Sequence, residues 1–162
     1  MKKLLIGATC LLSFSLTAQA DETPKTVNLR TEALADILGV PNLNLDFDLG
    51  NSWTLGGGVA YASTSLLWAS FSATIWDLNL THYFAEKSFT NAWYLGAQAD
   101  LINGTVNLFG LTDSASNFAA GFRGGYQWFC QRFNFQLGGS LLAGSSFASL
   151  ALDFSLGFSP LE

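Results

Sequence analysis

Charge is what this chain has least of. Only 12% of its residues are Asp, Glu, Lys or Arg, about half the ~25% of an ordinary soluble domain. Bases are scarcer than acids, seven against twelve, which leaves no electrostatic footprint for phosphates and excludes nucleic acid as a partner. There are two cysteines and one histidine, and no Cys or His pair has metal-site spacing. No Gly-rich loop precedes a helix to cradle a nucleotide. The expectation is therefore no metal and no cofactor. After residue 20 no apolar run approaches the ~18 residues of a membrane-crossing helix. Disorder is excluded from the other side, since 49% of the chain is apolar and 14% aromatic, the opposite of a disordered composition.

The first twenty residues read as an export signal. Met1-Lys2-Lys3 is followed by an apolar stretch from Leu4 to Leu16 and then Ala18-Gln19-Ala20. A basic start, a short apolar core and an Ala-x-Ala site make a secretory signal peptide cleaved after Ala20. Residues 1–20 are thus expected to be removed and residues 21–162 to form one barrel domain, without repeats or linkers. Cys10 leaves with the signal, so the mature chain would carry Cys130 as its single thiol, with no partner for an intrachain disulfide.

What the mature chain has in abundance is alternation, the mark of strands with two chemically different faces. Near the C-terminus Ala148, Leu150, Leu152, Phe154, Leu156 and Phe158 share one face, against Ser149, Asp153, Ser155 and Gly157 on the other. The same rhythm runs through Leu43–Leu49, Trp53–Tyr61, Trp76–Phe84, Trp93–Leu101, Phe118–Trp128 and Phe133–Leu141, and more weakly through Val27–Ala33. That predicts eight strands, about the ~9–11 residues a tilted strand needs to cross a bilayer. Only 32–38 could pass for a short helix. The bulky aromatics lie on the apolar face and glycine with small polar residues on the other. An eight-stranded lumen is too narrow for so many Trp and Phe rings, so the large apolar face points outward. The fold expected is all-β: an eight-stranded antiparallel transmembrane β-barrel.

With successive connections assigned to alternate ends, Trp53, Phe84, Trp93, Trp128, Phe133 and Phe158 fall at one end. They form an aromatic girdle of the kind found at membrane–water interfaces. That end also has tight turns at 50–52 and 129–132 and is read as periplasmic. Longer connections, at 36–41, 64–72 and 103–116, are expected at the other end. Two of these stretches are apolar, which suggests either strand extension into the lipopolysaccharide region or a greasy mouth for a hydrophobic small molecule.

Here the chain resembles the small eight-stranded outer-membrane barrels of Gram-negative bacteria, an uncharacterised family of OmpX or OmpW-like size. Leu152-Asp153-Phe154-Ser155-Leu156-Gly157-Phe158 is similar to their last-strand assembly signal. Val27-Asn28-Leu29, Gly39-Val40-Pro41-Asn42-Leu43 and Trp53-Thr54-Leu55-Gly56 are similar to a first hairpin of such a family. Ser159-Pro160-Leu161-Glu162 after the terminal Phe departs from the common pattern. The resemblance implies location in the bacterial outer membrane and insertion by the barrel assembly machinery. It implies lipid and lipopolysaccharide as surroundings, with a monomer as the functional unit. Some such barrels deacylate lipid A with a His and a Ser in a His-x-Ser-Asn neighbourhood. The only histidine here, His82, sits in Leu80-Thr81-His82-Tyr83-Phe84 on the outward parity, where no Ser-His-Asp set can be assembled. No catalytic residue is assigned.

The inward parity collects Arg30, Glu32, Asp46, Asp48, Asp77, Asp100, Arg123 and Asp153, an acid-rich charge network in the lumen. If Phe84 pairs with Trp93, Asp77 faces Asp100, and like charges so placed require a shared proton, a cation or an arginine between them. The same reasoning sets Asp46 opposite Gly56 and Arg123 opposite Gly138. Three functional classes follow. The first is a non-enzymatic structural or interfacial barrel with a filled polar lumen. The second is a narrow conduit or binder for small hydrophobic or cationic solutes, and the third a lipid-modifying enzyme.

Overall fold

A computed structural model describes residues 26–145 and 147–160, so the proposed signal peptide lies outside the described residues. The elements are β1 (Val27–Glu32), α1 (Ala33–Ile37), β2 (Asn42–Gly50), β3 (Trp53–Leu66), β4 (Ala69–Tyr83), β5 (Ala92–Leu108), β6 (Leu111–Cys130), β7 (Phe133–Gly144) and β8 (Ala148–Phe158). Each strand pairs antiparallel with its neighbours in sequence, and β1 closes on β8. The chain is a closed eight-stranded antiparallel β-barrel. Closure pairs the backbone polar groups and leaves no edge around the wall, the condition for strands in hydrocarbon.

The packing is inverted relative to a soluble domain. Asn28, Arg30, Asp46, Thr54, Asn79, Arg123, Gln127, Asn134, Gln136 and Ser155 are buried, while Leu152 is 79% exposed and Phe122 and Trp93 are each 64% exposed. Alternation along each strand sends one chemistry inward and the other out. Gly56 shows how tightly the inside fits. It stands opposite Asp46, and a Cβ there would overlap the Asp46 carboxylate and the Asn79 amide.

Turn geometry sets the register and corrects the sequence reading in three places. The β6–β7 turn holds two residues, Gln131 (φ 56°) and Arg132, because Cys130 pairs with Phe133. That moves the register by two, so Arg123 faces Ser140 and Gly138 faces Gly125. A shift of two preserves the inward face. Second, 64–72 and 103–116 are not loops. The strands run on to two-residue turns at Leu67-Trp68 and Phe109-Gly110, the latter with φ of 52° and 85°. Third, the connection at 84–91 is one of the longest and lies at the girdle end. The expectation of a lone Cys130 thiol turns on Cys10, which lies outside the described residues.

Candidate functional site

The lower lumen, towards the expected girdle, is crossed by a network of buried polar side chains. Arg30 Nε donates to Asp46 Oδ2 at 2.5 Å and Nη2 to Oδ1 at 2.9 Å, a fork-to-fork pair that fixes both side chains. It is the one ion pair among the described residues. Arg30 Nη1 donates to Gln136 Oε1 at 3.0 Å, and the Gln136 amide donates to Gln127. The Tyr83 hydroxyl donates to Gln127 at 3.2 Å. Asn134 donates to Asn28 Oδ1 at 2.6 Å, as does the Ser159 hydroxyl at 3.1 Å. Ser159, the first of the extra C-terminal residues, is thus tied down, its N–H also donating to the Arg132 carbonyl. Below this network the 84–91 connection inserts Phe89, only 2% exposed, against Tyr83 and Phe129.

The eight charged residues named from sequence do not form one network. Arg30 and Asp46 are joined. Asp48 instead accepts from the Gly50 N–H at 2.9 Å and braces the β2–β3 turn. Asp77 and Asp100 are cross-strand partners, each held by an amide two residues away on its own strand: Asn79 to Asp77 and Gln98 to Asp100, both 2.9 Å. Asp77 Oδ2 is buried with no hydrogen-bond partner. Asp153 accepts a 3.5 Å contact from Ser140, and Glu32 is half-buried at the end of β1. Arg123 is buried, bonds Gln136 at 3.3 Å and lies over the Tyr94 ring. Tyr83, Phe89, Tyr94, Gln127 and Gln136 were not among the sequence candidates. The first, third, fourth and fifth sat on the inward parity, but uncharged side chains gave no signal of their own.

The six aromatics expected to form the girdle lie at the ends of strands around the mouth where β1 begins and β8 ends. Phe133 and Phe158 are paired and 5.5 Å apart by ring centroid. Trp93 meets Tyr126 at 5.2 Å, and Tyr126 meets Trp128 at 4.7 Å. His82 is wedged between Trp53 and Phe84, at 4.8 and 5.2 Å.

At the opposite end β3 to β6 continue beyond their neighbours as a projecting four-stranded sheet, and there the two faces exchange chemistry. The last apolar row outward is Val59–Trp76–Leu101–Phe118. Beyond it the outward rows are Tyr61–Thr74–Asn103–Ser116, then Ser63–Ser72–Thr105–Ser114, then Ser65–Ser70–Asn107–Thr112. Their side chains bond one another, Ser116 to Asn103 at 2.7 Å and Asn107 to Thr112 at 3.0 Å. The inward rows change in the opposite sense. Above Gly58–Asp77–Asp100–Ala119 come Ala60–Ile75–Ile102–Asn117, Ala62–Ala73–Gly104–Ala115 and Thr64–Phe71–Val106–Asp113. A pocket of about 260 Å³ opens on this face, lined by Phe71, Ile102, Gly104, Val106, the carboxylate-bearing Asp113 and Asn117 among others.

A family described as a protein of unknown function, DUF3575, matches residues 5–148 of the chain. No curated protein matches it by sequence. Among solved structures, Neisserial surface protein A is similar over 83% of this chain and 95% of its own, at 12% identity and a TM-score of 0.59. The N-terminal β-barrel domain of Pseudomonas aeruginosa OprF is similar over 86% and 100%, at 11% identity and 0.64. Ail, the attachment invasion locus protein of Yersinia pestis, is similar over 85% and 98%, at 13% identity and 0.53. At these identities the likeness speaks to the fold.

Proposed function

The chain belongs to the DUF3575 family of proteins of unknown function, and we propose that it is a monomeric, non-enzymatic barrel of the bacterial outer membrane. In this reading it is exported with its signal cleaved after Ala20, inserted by the barrel assembly machinery, and surrounded by lipid and lipopolysaccharide. Its role is structural or interfacial, with a lumen that does not conduct. The observation that carries this is the Arg30–Asp46 pair, which with Gln136, Gln127 and Tyr83 spans the lower lumen. A bidentate pair with each partner 2% exposed is costly to open. An enzymatic role has little to draw on, because His82 is enclosed by aromatic rings on the outer face.

The outward apolar band supports the membrane placement. On β5 it runs from Trp93 to Leu101, about nine residues, matching the ~9–11 that a tilted strand uses to cross. The hydroxyl-bearing rows beyond it would stand among polar headgroups and saccharide. The test is planar-bilayer conductance of the refolded mature chain, with the heat-dependent gel shift of a folded barrel as its companion. A folded barrel without steps is the expected result. Steady, cation-preferring steps would overturn the sealed lumen and establish the conduit instead.

A further inference from the structure

The polarity exchange on the projecting sheet has a chemical meaning that a structural role does not use. Outward Ser, Thr and Asn explain how these strands stand in a polar layer. They do not explain why the inward face turns apolar at the same rows. Climbing the β4–β5 ladder, the inward pairs are Asp77–Asp100, Ile75–Ile102, Ala73–Gly104 and Phe71–Val106. The third rung has almost no side chain, and the rungs either side are bulky. The result is a notch over Gly104, with the nearest Phe71 carbon 3.8 Å from where a Cβ would stand. This is the floor of the 260 Å³ pocket.

Beneath the apolar rungs the charge is unbalanced. Glu32, Asp77, Asp100 and Asp153 share this part of the lumen with Arg123, because Arg30 is already committed to Asp46. None of those four carboxylates forms an ion pair among the described residues. Asp77 Oδ2 is buried and unpartnered, while two other orphaned groups of the lumen, Arg123 Nε and the Tyr94 hydroxyl beside Gly138, lie away from it. A buried acceptor without a donor costs free energy unless something supplies one.

We propose that the inner face of the projecting sheet binds a small amphiphilic cation, its alkyl tail in the Gly104 notch and its ammonium head at the Asp77–Asp100 pair. The notch is four residue steps along the strand from the carboxylates, about 13 Å at ~3.3 Å per residue, which suits a primary alkylammonium of medium chain length. The head donates to Asp77 Oδ2 and offsets the like-charge repulsion, while the tail covers Ile75, Ile102 and Val106. The site rests on the proposed membrane placement only in that its mouth opens to the aqueous side.

The test uses the mature chain in zwitterionic phospholipid nanodiscs, titrated with octylammonium, octanol and octanoate by calorimetry against empty discs. Methyl NMR signals of Ile75, Ile102 and Val106 provide a second readout. Expected are saturable octylammonium binding, about tenfold weaker octanol binding for want of the charge, and no octanoate binding. Asp77→Asn/Asp100→Asn should bring octylammonium down to the octanol level, and Gly104→Leu should abolish saturation while keeping the heat shift. The proposal is overturned by a heat-shifting barrel that binds no octylammonium, by equal binding of octanoate, or by variants that bind like the parent. A chain lacking the heat shift would overturn the barrel placement instead.

Discussion

At the residue scale the lumen is a set of close fits between charge and empty space. Arg30 and Asp46 are buried together, so removing one partner strands the other. Arg30→Met is expected to lower the urea unfolding midpoint in micelles, by about 3–5 kcal/mol of stability. Arg30→Met/Asp46→Leu should recover most of that loss, because no charge is then left behind. Gly56→Ala pushes a methyl into the Asp46 carboxylate and the Asn79 amide and should cost about 1–3 kcal/mol as overpacking. Asp77→Asn is the contrasting case. Its carboxylate has no ion-pair partner and faces Asp100, so the same urea titration should show an unchanged or raised midpoint. The Asp77–Asp100 and Asp46–Gly56 pairings were readable from sequence because the turns beside them were correctly placed. The Arg123 pairing was not, because two residues in the β6–β7 turn look like four when Phe129 and Cys130 are taken for turn residues.

At the element scale, the strands announced themselves wherever the outward face was apolar. Val59 to Tyr61 and Leu101 to Asn103 mark where that rule stops. Past these points alternation continues with its faces exchanged, as in Phe71-Ser72-Ala73-Thr74-Ile75. A search for outward apolar residues therefore reads strand as loop. Phe89 was missed for a different reason, since 84–91 has no period at all and its burial depends on the mouth it enters. The hairpin tip at Phe109-Gly110 relies on glycine at φ 85°, a backbone region costing other residues roughly 1–2 kcal/mol. Gly110→Val should speed amide exchange in 105–114 while leaving the unfolding midpoint of the barrel in place. Unchanged exchange there would mean that the tip does not depend on that conformation.

At the scale of the whole molecule, two boundaries divide the barrel into three zones. The aromatic girdle marks one boundary and the row Val59–Trp76–Leu101–Phe118 the other, with the apolar band between them and the projecting sheet beyond. Low charge and alternation were enough to predict closure and an inside-out interior, because an eight-stranded wall has one narrow space for polar side chains. The third zone had no such constraint from sequence, and only the register revealed it. The account stands on the membrane fitting between those two boundaries. The most direct test is tryptophan quenching by lipids brominated along their chains, using single-tryptophan chains that keep either Trp93 or Trp68. Trp93 should be quenched by bromines near the headgroups, and Trp68, 58% exposed at the β3–β4 turn, only by aqueous acrylamide. Lipid quenching of Trp68 as strong as that of Trp93 would place the projecting sheet inside the bilayer and contradict the account.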